Sequence, residues 1–245
     1  GFLSAITELD KTLAAPPTNS KTTHRRLQFA KWITDARNPL TARVLVNRLW
    51  QHHFGRALVR TPNNFGYKSD PPTHPKLLDW LAAEFMEPTT GGGAPWTLKR
   101  LHKLIMMSDT YQQQSVHPQE VEYAQRDFLN RNLWKFNRHR LNSEALRDAM
   151  LAVSGQLNLK MGGSSFYPKM SSEALEGLSR KAGDWKDSPT DERSRRSIYM
   201  MTKRSRLLPL MTVFDFSDTT ASCGQREVTT VAPQALALLN NHFAH

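Results

Sequence analysis

Apolar residues recur every three or four positions through most of the chain, whereas strict alternation of apolar and polar residues is almost absent. The first spacing is typical of amphipathic helices and the second of half-buried strands. The sequence therefore predicts a mainly α fold, a compact multi-helix bundle. The segments with helical spacing are Phe2–Leu13, Arg26–Asp35, Pro39–Phe54, Pro75–Met86, Leu98–Met107, Pro118–Leu133, Asn142–Leu157 and Val231–Phe243.

Local signals mark the ends of some of these helices. Asn38 is a favourable N-cap, and Pro39 follows at the first helical position, where its missing N–H costs no hydrogen bond. Gly55 is expected to end the same helix in a left-handed conformation. In the segment that begins at Asn142, the apolar spacing predicts that the inward side chains are Ala145, Ala149 and Val153.

The periodicity also suggests how the chain is divided. Residues 1–23 are interpreted as an N-terminal helix and a linker containing two prolines, and residues 24–245 as one helical domain. From Lys160 to Arg196 the periodicity fades into Gly, Ser, Lys and Asp, which predicts a long irregular loop. Ile198–Met201 is predicted as a short strand paired with Phe166–Met170, so the fold contains at most a small two-stranded β element.

Composition narrows the classes of function. The chain has 33 Lys and Arg against 22 Asp and Glu, a formal net charge of +11, which favours association with polyanions or an acidic partner. The basic residues are spread along the sequence, so a basic solvated surface is an equally good interpretation and nucleic acid is not singled out. No run of about 18 apolar residues exists, which predicts no membrane span. The single cysteine, Cys223, excludes an internal disulfide.

Three polar residues in the third predicted helix form the first candidate site. Arg43, Asn47 and Gln51 are four positions apart, so they lie on one helix face. They are candidate ligand-binding residues that would line a polar groove. The alternative is that they form a satisfied network inside the bundle or face solvent, because buried polar groups are usually paired within the protein.

Acidic residues form the second candidate site. Glu144 and Asp148 are four positions apart on a helix, an arrangement that suits an acid and a base if their pKa values differ. Asp215 is a third candidate catalytic carboxylate. The alternative is that Glu144 stabilises the first helical turn and pairs with a nearby arginine. Further candidate ligand-binding residues are Arg204 and Arg226.

No metal site is predicted. His52 and His53 are adjacent on a helix and point about 100° apart, so they cannot bind one ion from the same face. The chain contains no His-Glu-x-x-His motif and no cysteine pair.

Several long motifs identify a family resemblance. They are NPLTARVLVNRLWQHHFGRALVRTPNNFG, PPTHPKLLDWLAAEF, LKRLHKLIMMSDTYQQ, LNSEALRDAMLAVSG, RRSIYMMTKR and TTVAPQALALLNNHF. Together they resemble the planctomycete-specific domain of unknown function that forms the C-terminal part of proteins with planctomycete cytochrome c-like domains upstream. The similarity runs in order from about His24 to Phe243.

The resemblance implies an exported protein with a periplasmic or cell-envelope location. It implies a cytochrome c-like domain elsewhere in the parent chain, and covalent haem only in those upstream domains. No cofactor is expected in this fragment. The family has no catalytic role that can be transferred to residues of this sequence.

These observations leave the function open between different classes. The first is a binding module of an exported, cytochrome-linked protein that docks an acidic partner or an anionic glycan. The alternative is an enzyme acting on acidic or sulfated polysaccharide, with Arg43, Asn47 and Gln51 meeting the candidate carboxylates in a polar cleft on the helical bundle. Nucleic-acid binding is the least favoured, because export is implied.

Overall fold

The computed structural model describes residues 14–171, 185–204, 207–241 and 243–244. Contacts divide the chain into an N-terminal unit, residues 1–138, and a C-terminal unit, residues 139–245. The described residues contain ten α-helices, a 3-10 turn, two isolated β-bridges and no sheet. The predicted mainly α fold is confirmed. The helix predicted at Phe2–Leu13 lies outside the described residues.

The N-terminal unit contains six of the helices. They are α1 (Arg25–Ile33), α2 (Pro39–Phe54), α3 (Pro75–Met86), α4 (Leu98–Met106), α5 (Asp109–Gln112) and α6 (Glu120–Arg126). Helices α2, α3 and α4 supply most of one apolar core, because each buries a stripe of aliphatic and aromatic side chains. The buried core residues are Ala42, Val46, Trp50, Phe54, Leu58, Val59, Leu78, Leu81, Ala82, Phe85, Leu101 and Ile105.

The predicted ends of α2 are confirmed. The Asn38 side chain accepts a 3.0 Å hydrogen bond from the backbone N–H of Leu40, which satisfies one donor of the first turn. Its amide nitrogen also donates to the carbonyl of Trp32, 3.2 Å away, which ties the start of α2 to the end of α1. Gly55 ends the helix with φ of 75°, a conformation that glycine adopts without steric cost.

Helix α6 ends seven residues earlier than Leu133, where the sequence pattern placed its end. The carboxylate of Asp127 accepts hydrogen bonds from the backbone N–H groups of Arg131, at 2.9 Å, and Asn132, at 2.8 Å. This side chain therefore folds the chain into a turn in place of the next helical turns. Asn130 and Leu133 have positive φ, which also stops the helix.

The described residues of the C-terminal unit form four α-helices and a 3-10 turn. The helices are α7 (Ser143–Val153), α8 (Thr190–Arg193), α9 (Pro209–Val213) and α10 (Ala232–Asn240), and the 3-10 turn is Ser197–Tyr199. The segment predicted as an irregular loop contains α8 near its end. The part of that segment at residues 172–184 lies outside the described residues.

The predicted inward face of α7 is wrong. The buried residues of α7 are Ser143, Arg147 and Leu151, whereas Val153 is 91% exposed. The reason is that backbone carbonyls of the chain near α8 face this helix and accept hydrogen bonds from Arg147. An arginine with that many partners can be buried, although the apolar pattern alone assigns it to the surface.

The predicted pairing beside the 3-10 turn forms at a single position. The N–H of Phe166 donates to the carbonyl of Tyr199, at 3.0 Å, and the N–H of Met201 donates to the carbonyl of Phe166, at 2.8 Å. These bonds make one parallel bridge between Phe166 and Met200. The predicted strand Ile198–Met201 is wrong, because its first residues belong to the 3-10 turn.

Candidate functional site

Glu144, in the first turn of α7, is paired with Arg226. The two guanidinium nitrogens of Arg226 donate to the two carboxylate oxygens at 2.6 and 2.8 Å, and the Ser143 hydroxyl donates at 3.0 Å. Burial raises the pKa of Glu144 and is the largest single influence, but the hydrogen bonds from Arg226, from the Glu144 backbone and from Ser143, together with the charge of Arg226, lower it overall. An internal partner therefore favours the ionised form of the Glu144 carboxylate. The same ion pair occupies the guanidinium group of Arg226, the other candidate residue.

Asp148 is engaged by different partners. Its carboxylate accepts hydrogen bonds from the backbone N–H and the hydroxyl of Ser197, at 2.8 and 2.6 Å. Arg147 lies 3.4 Å away and also donates to the carbonyl of Arg195, at 3.0 Å. Burial lowers the pKa of Arg147, and the nearby charge of Asp148 opposes that shift. The two candidate carboxylates of α7 thus serve separate internal contacts, and neither donates to or accepts from the other.

Asp215, the third candidate carboxylate, anchors the start of the last helix. It accepts hydrogen bonds from the backbone N–H and the hydroxyl of Thr229, at 2.8 and 2.9 Å, and from Arg140, at 2.5 Å. The bond from the Thr229 backbone, followed by that from Arg140, lowers the pKa of Asp215 despite burial. Arg204 is exposed and is not bonded to Asp215 in the described residues.

The polar row of α2 is split between the surface and the core. Arg43 donates to the carboxylate of Asp79, 2.7 Å away, in an ion pair near the surface. Asn47 is buried, and its amide accepts from the N–H of Val59 at 2.8 Å and donates to the carbonyl of Val59 at 3.1 Å. Gln51 is half-buried. Asn47 therefore holds the chain that follows α2, as the alternative interpretation of the row predicts.

His53 in α2 lies against His102 in α4. Their ring nitrogens Nε2 and Nδ1 are 2.8 Å apart, and the His53 ring also meets Tyr111 edge to face. Burial, followed by the charges of His102 and His52, lowers the pKa of His53. The protonated form of His53 is therefore disfavoured at the edge of the core.

A small pocket in the C-terminal unit is lined mostly by residues with apolar side chains. Its lining includes Met170, Trp185, Met201, Met211 and Phe216, and it includes none of the candidate residues named from the sequence.

Three arginines of the N-terminal unit form a cluster that no sequence motif indicates. Arg56, Arg60 and Arg131, the arginine cluster, are close enough that the charges of Arg56 and Arg131 lower the pKa of Arg60, after burial as the main cause. Asp127 and Asp70 oppose that shift by smaller amounts. None of the three arginines forms an ion pair with a described residue, and the buried Nε of Arg60 has no hydrogen-bond partner there.

The fold brings these three side chains together through specific backbone contacts. Gly55 turns the chain out of α2, and Asn47 then holds Val59 against the core, so Arg56 and Arg60 stand at the two ends of the buried segment 57–59. Arg131 is placed by the turn that the Asp127 carboxylate forms. Arg56 also donates to the carbonyl of Leu129, 3.2 Å away, which links the two segments.

The sequence comparison now supplies a family. Residues 25–245 match PSD1, described as a protein of unknown function (DUF1553). The chain belongs to this family. The match confirms the predicted domain of unknown function. Neither a curated protein nor a solved structure matches the chain.

The family description assigns PSD1 no activity, so any functional conclusion rests on the residues themselves. Within the described ranges, no helix combines the length and the apolar character that crossing a membrane requires. In the same part of the chain, no group of three or more His, Cys, Asp and Glu side chains is placed to bind a metal ion.

Sequence reasoning missed the arginine cluster. Arg56 and Arg60 are visible as a pair flanking the apolar segment 57–59. Arg131 comes from a distant segment, and its approach depends on the early end of α6. Aspartate is a residue type whose side chain competes for the hydrogen bonds of the helix backbone. Asp127 is therefore the one sequence signal that α6 ends early and that Arg131 can approach Arg56 and Arg60.

Proposed function

We propose that the chain is a binding module that docks an acidic partner or an anionic glycan, and that the arginine cluster is the centre of the docking surface. The distribution of charge supports this role. In residues 1–138, 19 Lys and Arg against 11 Asp and Glu give +8, whereas in residues 139–245, 14 against 11 give +3. The cluster therefore belongs to the more basic unit, whose field attracts polyanions.

One observation carries the proposal. Arg60 is close enough to Arg56 and Arg131 for their charges to lower its pKa, Arg56 is bonded to the segment that carries Arg131, and no described carboxylate forms an ion pair with any of the three. Burial, followed by the like charges of Arg56 and Arg131, disfavours the charged form of Arg60, and the charges of Asp127 and Asp70 offset this only in part. A bound anion removes this repulsion and provides charge-assisted hydrogen bonds to planar guanidinium groups. The contacts thus favour a ligand with negative groups.

The candidate carboxylates give less support to an enzyme. A general acid or base must reach the substrate and titrate near the working pH. Glu144, Asp148 and Asp215 are each bound by internal donors, and the pKa values of Glu144 and Asp215 are lowered. Docking of an anionic partner requires no such residue.

We also propose that the module works in the periplasm or cell envelope of planctomycetes, next to a cytochrome c-like domain of the same parent chain. This part rests on the motif resemblance alone. Fractionation of cells that express the full-length protein tests it, with haem staining of the same band. Recovery in the cytoplasmic fraction, or a band without haem, would contradict it.

The binding proposal is tested with immobilised polymers. The purified chain should be retained on heparin and on polygalacturonate, should pass through a neutral dextran column, and should elute as salt is raised, because exposed charges are screened. The triple variant R56A/R60A/R131A should elute at a clearly lower salt concentration than the wild type.

The matched control is R25A/R26A/R48A. These three arginines are exposed residues of the same unit, so the control changes the net charge equally. Equal elution of the two triple variants would show that only the overall charge determines retention. The arginine cluster would then not be the centre of the docking surface. Absence of wild-type retention on both anionic polymers would overturn the binding function.

A further inference from the structure

We infer that the arginine cluster and the two loops beside it form a subsite for acidic sugar residues of a polysaccharide, with exposed aromatic rings covering the sugar faces. This inference rests on the proposed binding function and specifies its ligand. The two loops are residues 61–70, the tyrosine loop, and residues 127–131, the phenylalanine loop.

The tyrosine loop presents a fully exposed ring on an ordered backbone. The Thr61 hydroxyl donates to the carbonyl of Asn64, at 2.9 Å, and accepts from the N–H of Asp70, at 3.2 Å. The Asn64 amide donates to the carbonyl of Lys68, at 3.0 Å. Tyr67 lies between Asn64 and Lys68 in the sequence and has a relative exposure of 104%. The loop is thus organised internally while its aromatic ring contacts none of the core.

The phenylalanine loop has the same character. The Asp127 carboxylate binds two backbone N–H groups, and the Asp127 carbonyl accepts a 3.1 Å hydrogen bond from the indole N–H of Trp134. Phe128 follows directly and is 84% exposed. This large apolar ring is held in water by a fixed turn, so the folded chain lacks the hydrophobic stabilisation that its burial would give. A partner that covers the ring would stabilise the complex by burying it.

Both loops lie beside the arginine cluster. The tyrosine loop begins at the residue after Arg60, and the backbone N–H of Asp70 donates to the hydroxyl of Thr61 at the start of this loop, 3.2 Å away. The phenylalanine loop is joined to Arg56 by the hydrogen bond to the Leu129 carbonyl, 3.2 Å away. In keeping with these contacts, the charges of Asp127 and Asp70 raise the pKa of Arg60, against the larger effect of burial. Tyr67 is three residues from Asp70 in sequence, a span of at most ~10 Å even for extended chain. Phe128 is the neighbour of Asp127. The two exposed rings therefore belong to the two loops that adjoin the arginine cluster.

This combination of groups matches an acidic sugar. Guanidinium groups bind the carboxylate or sulfate ester in paired hydrogen bonds. The carboxylate of Asp70 can accept hydrogen bonds from hydroxyl groups, which a sugar ring supplies in number. The aromatic faces of Tyr67 and Phe128 can cover the C–H face of a pyranose ring. Each group in the region thus has a counterpart on a uronate or a sulfated sugar.

Nucleic acid fits the same region less well. Exposed aromatic rings also stack on bases, and arginines also bind phosphate. A DNA strand such as oligo-dT, however, has no free hydroxyl groups on its internal deoxyribose units, so Asp70 would face phosphates without a hydroxyl donor to bind. A uronate or a sulfated sugar offers hydroxyl groups beside its acidic group, so both the arginines and Asp70 find partners on it.

The test is isothermal titration of the whole chain with three oligomers of similar length. They are an oligogalacturonate, which carries carboxylates, a heparin oligosaccharide, which carries sulfate esters, and oligo-dT. The wild type should bind at least one of the two acidic oligosaccharides more tightly than oligo-dT, and the preferred one identifies the acidic group. Tighter binding of oligo-dT would overturn the inference.

Variants of the two rings test the stacking part. Y67A and F128A should each weaken binding of the preferred oligosaccharide about tenfold, whereas Y67F should bind like the wild type because it keeps the ring. V121A is the matched control, since Val121 is 74% exposed elsewhere in the same unit. The far-ultraviolet circular dichroism of all variants should equal that of the wild type, because the altered side chains are exposed.

Two outcomes separate this inference from the proposed function. In the first outcome, binding to anionic polymers depends on the arginine cluster but is unchanged in Y67A and F128A. This result would support the binding function and overturn the sugar subsite. Absence of binding to any of the three oligomers, together with no retention on the anionic columns, would overturn both.

Discussion

Arginines are used in opposite ways by the two units. In the C-terminal unit, Arg195 is almost completely buried, with a relative exposure of 1%, and its guanidinium donates to the carbonyls of Gly162 and Ser164 and to the carboxylate of Glu192. In the described part of the N-terminal unit, the only acceptor for a guanidinium group of the arginine cluster is the Leu129 carbonyl, which Arg56 binds. An arginine surrounded by acceptors is part of the fold, whereas a cluster without them is available for a ligand.

The difference does not reflect the N-terminal unit as a whole. Arg100 of that unit binds the buried carboxylate of Glu84, which also accepts hydrogen bonds from Thr89 and Thr90. The hydroxyl of Thr89 and then Arg100 lower the pKa of Glu84 to about 2. The N-terminal unit thus supplies a cation for the buried carboxylate of Glu84. The lack of ion-pair partners is therefore a property of the arginine cluster and not of all arginines in this unit.

The largest expected effect belongs to Arg195. R195A leaves the Gly162 and Ser164 carbonyls without this donor and removes one of the two cations bound to Glu192, the other being Lys160. Loss of one partner from a buried charged network costs about 3–5 kcal/mol. The free energy of unfolding of the C-terminal unit should fall by that amount. It is measured by urea denaturation, with unfolding monitored through hydrogen exchange of peptides from residues 158–200. R196A, at the exposed neighbouring residue, should change it by less than about 0.5 kcal/mol. Equal effects of the two variants would contradict a structural role for Arg195.

A moderate effect is expected for Arg226. R226A leaves the half-exposed Glu144 carboxylate without its ion pair, and solvent screening limits the loss to about 1 kcal/mol at pH 7. The pKa of Glu144 is below its ordinary value of 4.5 in the folded protein, so the contribution is present above pH 4.5 and disappears as the pH falls through the lowered pKa. Unfolding curves of R226A and wild type should therefore converge in acid. The control is E227A, at an exposed neighbour, and a difference that persists at pH 2 would exclude this ion pair as its source.

The smallest effect on stability is expected in the arginine cluster. R60M keeps the length of the side chain but removes a charge that burial, Arg56 and Arg131 all disfavour. No hydrogen bond to a described residue is lost, so the free energy of unfolding should stay the same or rise by about 0.5 kcal/mol. R60K, which keeps the charge, is the control. A fall of more than about 1 kcal/mol in R60M, measured in urea, would show that Arg60 stabilises the fold and would weaken the comparison between the two units.

The sequence predicts those elements whose ends are set by neighbouring residues. Asn38 and Gly55 act within a few positions of themselves, so α2 begins and ends where the sequence indicates. The buried face of α7 could not be found in this way, because Arg147 is buried only where carbonyls from Arg193 and Arg195 reach it. An apolar pattern contains no information about acceptors supplied some fifty residues later.

Partners from distant segments also explain why the sequence could not predict the contacts of the candidate site residues. The spacing of Glu144 and Asp148 correctly places both on α7, but their partners, Arg226 and Ser197, come from distant segments. Likewise, Arg131 joins Arg56 and Arg60 only after α6 has ended early. The sequence therefore identifies charged residues, whereas the contacts decide which charges are already neutralised.

The two hydrogen bonds between Asn47 and Val59 have a thermodynamic consequence for ligand binding. They fix the backbone between Arg56 and Arg60 from inside the core, and the Asp127 carboxylate fixes the backbone at Arg131. A ligand that meets guanidinium groups on a preorganised backbone does not have to order that backbone, so less of its interaction energy is spent on conformational entropy. Asn47 would then contribute to affinity without touching the ligand.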